Sequence, residues 1–283
     1  MEIALHSVSY GGSWPGQATL SLADFLSKAK ELGYSAVEIM AKRPHLSPLD
    51  LDSDARKRAK DLIAERGIRL VAIAGYQDFS CGSEHSDMAR RQKELVYLRE
   101  TLRLARDLGC GLVRTYAGFY YPEVPFSTQW KWCVDCLKEG TKMAADLGIT
   151  IGLQNHGTIA QCYRDVLDMV SEVNAHNLKI VLDAPALENN NENYDEAVEA
   201  CGSFIVHSHT SDFSYPSPNR LRKMAVPLGE GEVKYERFVA ALKKVGYQGY
   251  LSYEICSPLA GGGEIPNLDA SAKKSLEYIR GLI

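Results

Sequence analysis

The sequence predicts an α/β protein folded as one closed (β/α)8 barrel, a single domain over residues 1–283. Three observations carry this. Short apolar runs alternate with longer amphipathic segments eight times. The runs are mostly apolar on both faces, as strands of a fully covered parallel sheet must be. No Pro-, Gly- or Ser-rich linker splits the chain, and 283 residues suit a barrel, for which ~250 is typical.

The elements follow in order. A strand over 2–8 precedes a helix over 21–33, and 35–41 precedes 54–66. The pairs 69–75 with 88–108 and 111–117 with 127–147 come next. Then come 149–154 with 160–175, 178–183 with 192–201, 204–209 with 235–245, and 249–255 with 268–281. Glycines such as Gly33 and Gly109 follow helical runs, where a left-handed C-cap favours glycine. Ser53 and Asp54 stand where the second helix starts. An open doubly wound sheet is the alternative. It wants a Gly-rich phosphate loop after the first strand, and Gly11-Gly12 lacks that spacing, while Gly229-Glu230-Gly231 comes very late.

Composition narrows the function. Hydrophobic residues at 45% and charged residues at 24% exclude a disordered or collagen-like chain. A net charge of −4 gives no footprint for nucleic acid or an anionic membrane. No apolar run approaches the ~20 residues of a spanning helix. MEIALHSVSY has no signal-peptide pattern, so a cytoplasmic chain is expected. Seven cysteines at irregular spacing read as reduced thiols. Cys133 and Cys136 form a CxxC pair, either two small residues on one helix face or a metal or redox pair.

Barrel chemistry gathers at the C-terminal strand ends. His6 lies on the first strand, Glu38 on the second, Arg114 and Tyr116 on the fourth. Gln154, Asn155 and His156 end the fifth, and Asp183 ends the sixth. His207 and His209 lie on the seventh with Asp212 beyond, and Glu254 on the eighth. Imidazoles and carboxylates in apolar strands need partners, and a divalent cation is one. Asp183, Glu254, His209 and the amide oxygen of Gln154 form an N/O set without thiolate. It suits Mn, Co, Mg, Fe or Zn, with Mn favoured.

Each residue also has a plainer reading. Asp183 could cap the next helix, His207 could be a satisfied interior histidine, and Glu254 could sit in a structural ion pair. Glu38 and Arg114 either pair across the interior or touch substrate. Arg220, Arg222 and Lys223 form either a solvated face or, through Arg222, a substrate contact. Trp14, Trp130 and Trp132 either wall a sugar pocket or pack the core.

The ordered segments LGYSAVEIM, GITIGLQNHG, KIVLDAPAL, IVHSHTSD, VPLGEGEVKYERF and VGYQGYLSYEIC run through most of the chain. Together they resemble the sugar phosphate isomerase/epimerase superfamily, the xylose-isomerase-like barrels. The resemblance implies one divalent ion held by Asp183, His209 and Glu254. A fourth family ligand, usually Glu, falls on Gln154, and a His common three residues after the strand-six Asp is Ala186 here.

The resemblance implies an isomerase or epimerase acting on a keto sugar or related polyol ketone. The ion polarises the carbonyl and a carboxylate, Glu254, takes the α-proton. Gln154 has no basic atom, so a symmetric two-base scheme is not available. With only Asp183 and Glu254 as anions, the ion is a stronger Lewis acid but more weakly held. His156 is the candidate for the vacant acid/base role. His6, Glu38, Arg114, His207 and Arg222 are candidate substrate contacts. A carbon–oxygen lyase or dehydratase acting on 3-keto-glycosides or inososes is the alternative. A non-catalytic sugar-binding barrel would follow if Gln154 abolished metal binding. An endonuclease of this barrel type would want more His and a basic face. The expected partner is a small carbohydrate, with no nucleic acid, no membrane, and a homo-oligomer left open.

Overall fold

The computed structural model describes residues 1–81, 88–216 and 222–283. Eight parallel strands close into a barrel: β1 (Glu2–His6), β2 (Ala36–Met40), β3 (Arg69–Ala74), β4 (Leu112–Thr115), β5 (Thr150–Gln154), β6 (Leu178–Asp183), β7 (Ile205–Thr210) and β10 (Tyr250–Tyr253). Around the barrel the order is β1-β10-β7-β6-β5-β4-β3-β2. The helices are α1 (Leu22–Glu31), α2 (Ser53–Glu65), α3 (Met88–Leu108), α4 (Phe126–Ala145), α5 (Tyr163–Val173), α6 (Ala184–Asn189), α7 (Tyr194–Cys201), α8 (Tyr235–Lys244) and α9 (Ile265–Leu282).

Every expected strand and helix is present, because the apolar patterning is what builds them. Leu153, Ile180 and Leu182 are buried on strands covered by helices on the outside and side chains within. Among the described residues no helix is long and apolar enough to cross a membrane.

The differences lie at strand exits, where local polar groups compete with strand geometry. The first strand stops at His6, because its Nδ1 accepts from the Val8 N–H at 3.0 Å and turns the chain into a single 3₁₀ turn. The second helix is capped one residue earlier than expected, by Asp52. The extra helix α6 starts at Asp183, whose carboxylate accepts from the Ala186 N–H at 3.0 Å, with Pro185 in its first turn. The last helix begins at Ile265, with Pro266 in the first turn.

A hairpin, β8 (Asp212–Ser214) and β9 (Met224–Val226), stands on the rim after β7. Ala225 ties it to the loop after β10. Its N–H donates to the Pro258 carbonyl and its carbonyl accepts from the Ala260 N–H, both at 2.9 Å. Arg220 lies outside the described residues.

Candidate active site

His207 and His209 are two residues apart on β7, so both face the barrel interior. Register brings the rest to the same level: His6 pairs with Glu38, and Asp183 pairs with His209. Glu38 is fully buried and accepts from Nε2 of His207 at 2.9 Å and from Nε2 of His209 at 2.9 and 3.0 Å. An ionised carboxylate only accepts, so each of these nitrogens carries the proton. Burial alone would raise the Glu38 pKa, but His209, His6 and His207 together hold it well below the ordinary value.

His209 therefore presents its other nitrogen, Nδ1, to the rim. That atom is buried, has no hydrogen-bond partner, and lies 3.5 Å from Glu254 Oε1. Donor atoms of Asp183, His209 and Glu254 lie within 4.8 Å of one another. Gln154 Nε2 donates to Asp183 Oδ2, which leaves its buried Oε1 without a partner. Two carboxylates, Nδ1 of His209 and an unpartnered amide oxygen thus converge. This is the donor chemistry a divalent cation takes, with Glu38 fixing the histidine from behind. Burial opposes the charge on His209, but Glu38 and Glu254 raise its pKa to about 10, so a cation at Nδ1 would displace a proton. Asp183 is pushed upward in pKa, first by burial and then by Glu254. Burial opposes ionisation of Glu254 too, but His209, His6 and Arg114 outweigh it.

His6, Glu38 and His209 form a second close group. Both Glu38 oxygens there are already engaged by imidazole N–H groups. His6 Nδ1 is used by Val8, so its proton sits on Nε2, 3.7 Å from Glu38 Oε1 and 4.0 Å from Glu254 Oε2. Burial pushes the His6 pKa down to about 3, which keeps it neutral. His6, Glu38 and His207 back the site and do not line its cavity. His209 is likewise absent from that lining, and His6 Nε2 is left buried without a hydrogen-bond partner.

The cavity above has a volume of about 380 Å³ and is lined by Gln154, Asp183 and Glu254 together with Arg114, Tyr116 and His156. A larger hollow of about 650 Å³ lies on the outer surface against α3 and α4, away from the strand ends. Arg114 donates to the Gly75 carbonyl at 2.8 Å, and its Nε lies 3.9 Å from Glu38 Oε1. It both approaches Glu38 and lines the cavity. His156 stacks on Tyr116 with ring centroids 4.5 Å apart. Its edge is open to the cavity, yet the surrounding walls and Arg114 lower its pKa to about 4.

Arg222 lines a separate hollow of about 160 Å³ with Trp14 and Met224, so it does not join the cavity with the donor set. Trp14 borders both and donates to the Ile255 carbonyl at 3.0 Å. Trp130 bonds Glu172, and Trp132 lies under Arg91, so neither reaches the sugar-sized cavity. Cys133 and Cys136 are buried free thiols on α4.

Sequence reasoning missed Lys42 and Tyr76 and placed Lys223 in a basic cluster read as a solvated face or, through Arg222, a substrate contact; all three line the cavity. Lys42 stands only two residues past β2, and that position was the available signal. Asp212 is structural. Its carboxylate accepts from the N–H groups of Phe213, Gly229, Gly231 and Val233 at 2.9–3.1 Å, so the late Gly-Glu-Gly segment wraps around it.

The chain is 28% identical over 262 residues to L-ribulose-5-phosphate 3-epimerase UlaE of Salmonella heidelberg strain SL476, covering 90% of this chain and 87% of that protein. It is 28% identical over 242 residues to UlaE of Escherichia coli strain SMS-3-5, covering 83% and 82%. The fold matches D-allulose 3-epimerase from Methylomonas sp. at a TM-score of 0.80 and 22% identity, covering 100% of this chain and 98% of that one. The family described as xylose isomerase-like TIM barrel matches residues 26–282. The chain, with its closed barrel and its polar groups gathered at the strand ends, belongs to that family.

Proposed function

We propose that this protein is a divalent-metal-dependent isomerase or epimerase of a keto sugar or related polyol ketone, acting by removal of the proton α to the carbonyl. The supporting observation is the convergence of Asp183, His209 and Glu254 beside the unpartnered Gln154 Oε1. The sequence relatives named as 3-epimerases support the same reaction class. The N/O donor set suits Mn, Co, Mg, Fe or Zn. When bound there, the ion supplies Lewis-acid polarisation of the substrate carbonyl.

The chain's own residues do the rest. Glu254 stays ionised beside His209 and Arg114 and accepts the α-proton. Gln154 orients a substrate oxygen or a ligand through its amide but cannot take a proton. Glu38 keeps His209 in one tautomer and one orientation. Tyr76, Tyr116 and Trp14 give the cavity its apolar faces, which suit the C–H surface of a sugar.

The test is α-proton exchange of ketoses in deuterated water, with metal-stripped and metal-reloaded protein. Exchange should require the ion and fall by roughly 10²-fold or more in Glu254→Gln. A reloaded protein that retains no divalent ion and exchanges no ketose overturns the proposal. Near-normal exchange in Glu254→Gln with retained metal overturns the base assignment.

Gln154 favours a second reading, β-elimination by a lyase or dehydratase, because one carboxylate base is enough for it. His156, neutral because burial lowers its pKa to about 4, then hydrogen-bonds the departing oxygen, which takes its proton from water or from the protonated Glu254. His156→Ala should abolish elimination from 3-keto-glycosides or inososes while part of the α-proton exchange survives. Full wild-type elimination in that variant removes His156 from the scheme.

A further inference from the structure

We propose that the cavity selects a substrate bearing an anionic group, phosphate or carboxylate, and that Lys42 is the residue that binds it. This rests on reading the cavity as a keto-sugar site. Lys42 leaves the end of β2 half-buried and lines the cavity. Its ammonium lies 3.8 Å from the ring centroid of Tyr76. The guanidinium of Arg114 lies 5.0 Å from the centroid of the same ring. Two cations therefore share one aromatic ring. Arg114 has the Gly75 carbonyl and nearby Glu38. Among the described residues, Lys42 Nζ has neither a carboxylate within 4.0 Å nor a hydrogen-bond acceptor.

An ammonium that is partly desolvated, set beside a like charge and left without an anion is a costly arrangement. Burial and then Arg114 lower the Lys42 pKa, and Glu254 offsets them only in part. The tyrosine face compensates only in part. An anionic oxygen at the cavity wall completes it.

The rest of the cavity points the same way. Lys223 reaches in from the base of β9. Its Nζ lies 3.3 Å from Asn189 Oδ1 and 3.7 Å from the Phe213 ring centroid, and it too has no carboxylate within 4.0 Å among the described residues. Lys42, Arg114 and Lys223 thus outnumber Asp183 and Glu254 on the lining, before the two charges of a divalent ion are added. A lining of that sign draws anions and raises their local concentration.

Two measurements test this. The first is the kcat/KM for exchange of three ketoses: a ketopentose 5-phosphate, the same ketopentose unphosphorylated, and a keto-hexuronate. One charged substrate should be preferred at least tenfold over the neutral one, and which one identifies the anion. Lys42→Met keeps the apolar stem and should collapse the ratio, and Lys42→Arg should restore most of it. Equal use of all three, or a ratio unmoved by Lys42→Met, overturns the proposal and leaves the isomerase reading intact. The second is calorimetric binding of inorganic phosphate to the metal-free protein, which needs no turnover. Wild type should bind at least tenfold more tightly than Lys42→Met, with circular dichroism checking that the variant folds. Equal binding overturns the proposal even if no ketose is ever exchanged.

Discussion

Glu38 holds Nε2 of His209 at 2.9 Å and thereby frees Nδ1 to face Glu254 and Asp183. The carboxylate does not border the cavity, yet it fixes which nitrogen is on offer. Glu38→Gln should therefore weaken divalent-ion binding by about 10–100-fold, the usual effect of losing an outer partner. Competition against a chromophoric chelator measures it, and thermal unfolding checks the fold. Unchanged affinity in a folded variant would detach Glu38 from the site.

Gln154→Glu should split the stability of the protein by metal content. Without an ion, the new carboxylate replaces an amide that donates to Asp183 and sets two anions against each other. The melting temperature of the metal-free variant should fall below wild type. With the ion, the added charge should tighten binding at least tenfold, since cation sites strengthen with anionic donors. A variant that binds the ion more loosely than wild type would place residue 154 outside the donor set.

Asp212 anchors the Gly-Glu-Gly loop with four backbone N–H groups. Asp212→Ala would leave several of them without an acceptor, at about 1–3 kcal/mol each where water does not replace it. Gly231→Ala should be comparably harmful, because a Cβ there meets Asp212 Oδ1 at 2.1 Å and the Phe213 carbonyl at 2.4 Å. Chemical denaturation reads both. A loss under 1 kcal/mol in each would show that the loop stands without this cradle.

His45 gives a stability signature in mild acid. Its ring is buried beside Phe25, its Nε2 bonds the Leu20 carbonyl at 3.2 Å, and its Nδ1 has no partner. Burial lowers its pKa to about 4. Between the unfolded value near 6.5 and that folded value, the unfolded chain takes a proton that the native chain refuses. The contribution is complete above pH 6.5 and shrinks as pH falls, by about 2 kcal/mol between pH 7 and pH 5. His45→Gln should flatten that slope in denaturation at the two pH values. An equal slope in wild type and variant would assign acid sensitivity elsewhere.

The barrel was legible because its strands are buried on both faces, so Ile151 to Leu153 and Ile180 to Leu182 read as short apolar runs. The donor set was legible because Asp183, His209 and Glu254 interrupt those runs at their ends. Depth was not legible. His6, Glu38 and His207 interrupt strands in the same way, but they are fully or almost fully buried and, like His209, do not border the cavity. Lys223 was hidden for the opposite reason. A basic stretch in a loop looks solvated until a tertiary contact, here the β8–β9 hairpin, turns one of its side chains inward.

Lys223, one residue before β9, carries that hairpin's contribution to the cavity wall. The hydrogen bonds of Ala225 run to the loop after β10 and not to the barrel strands. Asp183, His209 and Glu254, by contrast, sit on or just beyond strands whose registers are locked by closure of the sheet. Lys223 and the candidate donor set thus lie on separate pieces of backbone, whereas Lys42 follows a barrel strand. Rewriting the stretch around β9 can change which molecules enter while the reacting centre keeps its shape, so a new substrate range can evolve here without rebuilding the catalyst.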